Sequence, residues 1–311
     1  MVKKVGVIGT GKWGVNHARI YSELRPEHAD FVGISDKDVS RRSIAEEFGV
    51  NFFSDYTELI KNVDNVSIVV PTNFHYQIVK SCLLENINVL VEKPFVLYSR
   101  EAEELVKLAK DKNLILHIGY LFRFNPVTTE LKKLLPELGE LRAINSRYIQ
   151  PNPPRSDSGV IFNLSVHLID ILNFILGERP LTVLCKKTNQ LDPNLEDSAT
   201  ITLGYEKFHA TLELSCLHPE KKRDMFILGT KGAIYADFKE QMLTKYKLSG
   251  NEWISETINL EKKEPLKEMI KNFLNSSENS EMRKLGEEEI YTTRICERAL
   301  DSAKLGRELE I

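Results

Sequence analysis

Val5-Gly6-Val7-Ile8-Gly9-Thr10-Gly11-Lys12-Trp13-Gly14 is the stretch on which the fold turns. A short β-branched run reaches a Gly-x-Gly-x-x-Gly sequence, and Val15, Ala18, Ile20 and Leu24 then follow at helical spacing. That order is strand, glycine turn, helix. Gly9 permits the tight turn, Gly11 the close approach of a pyrophosphate, and Gly14 the packing of helix on strand, with the helix N-terminus facing the phosphates. Thr10, Lys12 and Trp13 complete the predicted dinucleotide cradle.

The unit repeats outward. Phe31–Ser35, Val66–Val70, Val89–Val91 and Leu114–Ile118 read as strands, with helices over Val39–Phe48, over His75–Leu84 and after a capping Ser99. Alternating strands and helices imply right-handed crossovers, hence an α/β Rossmann domain with a parallel doubly wound sheet over residues 1–120. Beyond Tyr120 the rhythm changes. A helix at Val127–Leu135, a strand at Leu141–Ile149, a proline-rich loop and a helix at Val160–Leu176 precede period-two strands from Leu181 to Ile258. Helical patterns at Pro265–Leu274 and Glu287–Ala303 close the chain. Strands without intervening helices predict an α+β domain, residues 121–311, built on a largely antiparallel open sheet. Its core face is expected to carry Ile201, Leu203, Leu212, Leu214, Phe226 and Leu228, and its other face Thr202, Thr211 and Glu213.

A chain of 311 residues exceeds the size at which single cores stop growing, so two domains are expected. Lys plus Arg total 42 against 45 acidic residues, and no basic block exists to serve as a nucleic-acid footprint. Cys82, Cys185, Cys216 and Cys296 fall singly, without metal-ligand spacing, so no metal is expected. The apolar run at the N-terminus is too short for a signal peptide, and no stretch approaches the roughly 18 apolar residues of a membrane span. A cytoplasmic protein is the expectation.

Asp36 ends the second strand, where an acid accepts hydrogen bonds from the adenosine ribose and repels a 2'-phosphate; NAD is therefore expected over NADP, with Arg41 and Arg42 the residues that complicate it. Thr72, Asn73 and His75 follow the third strand at its carboxyl end, where the nicotinamide half of a dinucleotide belongs.

Another strand ends Val91-Glu92-Lys93-Pro94, placing a lysine at the same edge of the sheet. With the glycine fingerprint, Asn73-Phe74-His75 and Gly119-Tyr120-Leu121-Phe122-Arg123-Phe124-Asn125-Pro126, the chain resembles the Gfo/Idh/MocA family of sugar and polyol oxidoreductases across both domains. The resemblance implies that Lys93 is catalytic, that Glu92 and Lys93 border the cofactor, and that a helix bearing Asp-x-x-x-His faces the nicotinamide. Here that helix reads Asn163-Leu164-Ser165-Val166-His167-Leu168-Ile169-Asp170, with Asn163 in place of the aspartate and Ser165 in place of a glycine. Positions 163, 167 and 170 are expected on one helix face. His167 is then the general base for a secondary hydroxyl whose hydride passes to NAD, and Lys93 steadies the alkoxide.

The segment running from Pro153 through Arg155 to Ile161, together with Leu217–Arg223 and Gly229–Tyr235, is similar to the family's UDP-N-acetylglucosamine 3-dehydrogenase branch. That implies the 3-hydroxyl of a UDP-N-acetylhexosamine as substrate, with Arg123, Asn125, Arg155, Asn163 and Asp170 around it. Arg147, Lys222 and Arg223 are further cations suited to a diphosphate. A dehydrogenase of a free polyol or aldose such as inositol is the alternative, and so is a non-catalytic sensor of NAD or sugar, against which the presence of Lys93 and His167 argues. Family precedent for sheet-to-sheet contacts implies a homodimer or homotetramer.

Overall fold

The computed structural model describes residues 2–152, 157–250, 252–276 and 286–311. The chain begins β1 (Lys3–Ile8), α1 (Gly14–Glu23), β2 (Ala29–Ser35), α2 (Arg42–Phe48), β3 (Asn51–Phe53) and α3 (Tyr56–Ile60). It continues through β4 (Asn65–Ile68), α4 (His75–Leu84), β5 (Asn88–Val91), α5 (Ser99–Asp111) and β6 (Leu116–Ile118). Next come α6 (Pro126–Leu134), β7 (Leu141–Ile149), α7 (Val166–Leu176), β8 (Thr182–Thr188), β9 (Ser198–Gly204) and β10 (His209–Ser215). The last elements are β11 (Lys222–Gly229), β12 (Ala233–Asp237), β13 (Met242–Ser249), β14 (Glu252–Asn259), α8 (Pro265–Asn275), α9 (Gly286–Leu305) and β15 (Leu309–Glu310). Two compact units result, Met1–Tyr120 with Leu266–Thr293, and Leu121–Pro265 with Arg294–Ile311.

In the first unit six parallel strands lie in the order β3-β2-β1-β4-β5-β6. The chain winds outward in both directions from β1 and β4, so the carboxyl ends of those two strands form the switch point at which such sheets take ligands. All residues of β4, and all but the first of β5, are buried, as expected of strands covered on both faces. Sequence periodicity missed β3 and α3, whose three and five residues are too few to show a period. The helix expected over residues 39–48 starts as a 3-10 turn, Val39–Arg41, capped by the Asp38 carboxylate accepting from Ser40 N at 3.0 Å. Ser99, read as a cap, is instead the first residue of α5 behind Tyr98.

Helix α8 packs with this first unit. Phe273 meets the His117 ring edge-on at 6.2 Å, Lys267 pairs with Glu23 at 2.8 Å, and Lys3 Nζ donates to the Leu274 carbonyl. A single cut at residue 120 therefore does not describe the two units.

The second unit holds a nine-stranded sheet, β14-β13-β12-β11-β7-β10-β9-β8-β15. Strand β7 runs parallel to β10, and every other neighbouring pair is antiparallel. Ile201, Leu203, Leu212 and Leu214 form the buried face as expected. Phe226 and Leu228 do not join them. In β11 the buried alternate residues are Met225 and Ile227, opposite Ser146 and Ile144, which leaves Phe226 37% exposed beside Tyr246. Period-two reasoning applied one residue out of phase moves a whole row to the other face. No helix among the described residues is long and apolar enough to cross a membrane.

Candidate active site

In the first unit, β1 runs into Gly9, whose φ of +88° only glycine adopts at low cost. A Cβ on Gly14 would lie 2.0 Å from the Gly9 carbonyl oxygen, so helix and turn touch through hydrogen atoms alone. A Cβ on Gly11 would meet nothing within 4 Å. Trp13 at the N-cap of α1 makes no side-chain capping bond, which leaves the helix N-terminus for an anion. A dinucleotide pyrophosphate fits that opening.

Asp36 sits at the end of β2. One carboxylate oxygen accepts from Thr10 N at 2.7 Å and Thr10 Oγ1 at 3.0 Å, and the other from Asp38 N at 3.0 Å. The acid is thus locked against the glycine turn. The two arginines that complicate the cofactor choice are engaged nearby: Arg41 lies 3.5 Å from Asp38, and Arg42 stacks over Phe52 at 5.1 Å. Replacing Asp36 with alanine is expected to narrow the preference for NAD over NADP, because a carboxylate that repels a 2'-phosphate is lost. Fluorescence titration with both cofactors measures this, and an unaltered ratio of affinities would remove Asp36 from the selection.

The other cofactor candidates divide by burial. Asn73 is exposed, Thr72 is buried, and Lys12 and Trp13 face solvent. His75 is 1% exposed, with Nε2 2.9 Å from the Val70 carbonyl oxygen and Nδ1 2.9 and 3.0 Å from those of Pro94 and Phe95. Burial depresses its pKa against the pull of those carbonyls. Both ring nitrogens are taken up by the fold, so His75 staples the exit of β4 to the turn that follows Lys93.

Glu92 is also buried. His17 Nε2 lies 3.1 Å from one carboxylate oxygen, Lys93 N donates to the other at 3.2 Å, and the Trp13 indole adds a further hydrogen bond. Burial pushes this carboxyl upward, but the His17 bond leads the opposing effects and the net pKa is lowered. A Cβ on Gly119 would stand 2.8 Å from the same carboxylate, which explains the glycine after β6. Sequence reasoning missed His17, although its position one helical turn beyond Gly14 puts it on the inward face of α1.

In the second unit the site is built on α7 and the buried face of β7. The helix expected over residues 160–176 opens as a π turn, Ile161–Ser165, and becomes α-helical at Val166. Glu196 fixes that opening, accepting from Ile161 N at 3.0 Å through its carboxylate and from Val160 N at 2.9 Å through its carbonyl. The shared face expected for residues 163, 167 and 170 crosses from the wide turn into the α-helix, so His167 and Asp170 keep their relative register while Asn163 does not.

His167 is 3% exposed and held by aromatic rings. Tyr148 stacks on it at 5.5 Å with the planes 11° apart, and Phe122 meets it edge-on at 5.0 Å. Arg223 lies over the Tyr148 ring at 4.7 Å. Burial raises the Tyr148 pKa, and the charge and hydrogen bond of Arg223 partly offset this. Tyr148 was not foreseen, since nothing in a lone strand tyrosine announces its partner.

Two of the expected substrate residues, Arg123 and Asp170, bind one another. Arg123 Nε donates to both oxygens of Asp170 at 2.8 and 3.0 Å, and Nη2 adds a 2.5 Å bond, with the two side chains 8% and 1% exposed. Asn125 caps α6 through Val127 N at 3.0 Å and donates to the Phe238 carbonyl at 2.9 Å. Asn163 lies buried in the π turn. Arg155 falls outside the described residues. No group of three or more His, Cys, Asp or Glu among the described residues is arranged to hold a metal ion. All four cysteines are buried and free, and burial pushes Cys82, Cys185 and Cys296 up to about 12, which suppresses thiolate chemistry near neutral pH.

Comparison with known proteins agrees with this geometry. Residues 3–120 match the family described as an oxidoreductase family with an NAD-binding Rossmann fold, and residues 129–235 match the GFO/IDH/MocA C-terminal domain. UDP-N-acetylglucosamine 3-dehydrogenase of Acidithiobacillus ferrooxidans is 31% identical over 182 residues, covering 58% of this chain and 56% of that one, so the alignment spans little more than half of that relative. A solved structure of the same enzyme superposes with a TM-score of 0.89 at 26% identity over 98% of this chain and 99% of that one. Myo-inositol 2-dehydrogenase of Thermotoga maritima is 26% identical over 256 residues, 75% of each chain. With a glycine turn shaped for NAD in one unit, a ring-clamped histidine in the other and both family domains matched in order, this chain belongs to the Gfo/Idh/MocA oxidoreductase family.

Proposed function

We propose that the protein oxidises a secondary hydroxyl of a sugar, the 3-hydroxyl of a UDP-N-acetylhexosamine being the position favoured by similarity to the Acidithiobacillus enzyme. The observation that carries the reading is His167, clamped by Tyr148 and Phe122 in the unit that does not hold the dinucleotide cradle. NAD, when bound, supplies a hydride acceptor. His167 takes the hydroxyl proton as general base. Lys93, at the end of β5, donates to the substrate oxygen and stabilises the charge that develops as its proton leaves. Arg123 and Asp170, already paired, set the orientation of α7 and make no direct contact with the sugar.

Oxidation of a free polyol is the second reading, favoured by the similarity to myo-inositol 2-dehydrogenase over three quarters of each chain. Incubation with NAD and either UDP-N-acetylglucosamine or myo-inositol, with NADH formation followed and the products analysed, separates the two. A 3-keto nucleotide sugar supports the first. Turnover of inositol alone overturns it.

We also propose a homodimer or homotetramer formed through the outer face of the second unit's sheet. There Phe226 and Tyr235 line a recess of about 310 Å³ together with Asn145, Thr211, Glu213 and Asp224. Sedimentation at micromolar concentration is expected to give a multiple of the 35.6 kDa chain mass, and a monomer would exclude this assembly.

A further inference from the structure

A sugar that carries a diphosphate needs a cation that the fold has left uncommitted. Arg147 is committed. It donates from Nε to Asp224 Oδ1 at 2.9 Å and from Nη2 to Oδ2 at 2.5 Å, on the face of β7 opposite to Tyr148. Lys222 pairs with Glu220 at 2.6 Å.

Arg223 differs. In the sheet register it stands directly opposite Tyr148, while Asp224 stands opposite Arg147, so successive residues of β11 serve opposite faces. Its guanidinium lies 4.7 Å from the Tyr148 ring centre and 5.8 Å from that of Phe122, the two rings that clamp His167. Among the described residues no carboxylate pairs with Arg223. Its Nε is buried and finds no hydrogen-bond partner there, while its side chain as a whole remains half-exposed. A guanidinium has five N–H donors, and the tyrosine oxygen accounts for a small part of them. Buried donors and an uncompensated charge are costly unless something completes them.

We propose that Arg223 anchors the diphosphate of the substrate beside His167. The planar fork of a guanidinium matches two phosphoryl oxygens at once, which the ammonium of Lys222 cannot reproduce. This inference rests on His167 as the base of a sugar oxidation, and it narrows the substrate class to one carrying an anionic group. It also assigns Tyr148 a positioning role, since its ring contacts both the anchor and the base.

The test is calorimetric titration of the NAD-loaded protein with UDP, with uridine and with glucuronate, in wild type and in Arg223→Met and Arg223→Lys. Wild type is expected to bind UDP far more tightly than uridine. Arg223→Met should weaken UDP roughly 10- to 100-fold, the range of a lost hydrogen-bonded charge contact, and Arg223→Lys should recover part of it. KM for UDP-N-acetylglucosamine should rise in parallel with a much smaller change in kcat. Equal binding of UDP and uridine by wild type, a response to glucuronate without one to UDP, or a fall in kcat at unchanged KM would each overturn the anchor. Unaltered NAD affinity and near-ultraviolet circular dichroism exclude misfolding of the variants. If wild type binds UDP and Arg223→Met loses that binding, yet wild type fails to oxidise UDP-N-acetylglucosamine, the proposed reaction fails while the anchor stands.

Discussion

Replacing His167 with alanine is expected to lower kcat by roughly 10²- to 10⁴-fold, the contribution of a positioned general base, while NAD affinity stays at the wild-type value. The two effects separate because the cofactor cradle is made by residues 9–14 and Asp36 of the first unit, whereas His167 belongs to the second. An imidazole stacked on Tyr148 and edge-on to Phe122 has little rotational freedom, so a proton acceptor is held in place without reorganisation. Lys93→Ala tests the other group assigned to the substrate oxygen and should likewise leave NAD binding intact. Either variant with near wild-type turnover would remove that residue from the reaction.

Arg123→Met is expected to destabilise the protein by about 3–5 kcal/mol, because it strands the Asp170 carboxylate in the interior. The pair is tied by three short contacts, and Asp170 is fully buried. Losing both charges together costs far less than losing one, so the double variant Arg123→Met with Asp170→Leu should recover much of the loss. Chemical denaturation of the four proteins in the cycle gives the coupling directly. A single variant within about 0.5 kcal/mol of wild type would show that the ion pair does not hold α7. A loss of activity without a loss of stability in Arg123→Met would instead return Arg123 to the substrate.

The fingerprint at Gly9–Gly14 and the strand-helix alternation after it made the first unit legible, since both are local patterns with a steric cause. The second sheet was legible as a run of strands between Leu181 and Ile258. Contacts between residues far apart in sequence were not. His17 and Glu92 stand 75 positions apart and Arg123 and Asp170 stand 47 apart, and no periodicity links such partners. The π turn escaped as well, because Ile161–Ser165 has the composition of any buried helix, and its distinguishing support, Glu196, belongs to a distant segment. Phe226 was assigned to the wrong face because its hydrophobicity argued more loudly than its register.

Helix α8 carries a consequence for synthesis. The first unit's sheet is encoded by residue 118, yet the surface presented by Lys3, Glu23 and His117 is not covered until Lys267, Phe273 and Leu274 have been made. A nascent chain leaving the ribosome therefore carries its nucleotide-binding sheet with one flank open while eight of the second sheet's nine strands, β7 to β14, are translated, at about 5–20 residues per second. During that interval the flank is exposed to chaperones and to other unfinished chains. A ribosome stalled before residue 265 would present a sheet that can wind but cannot close.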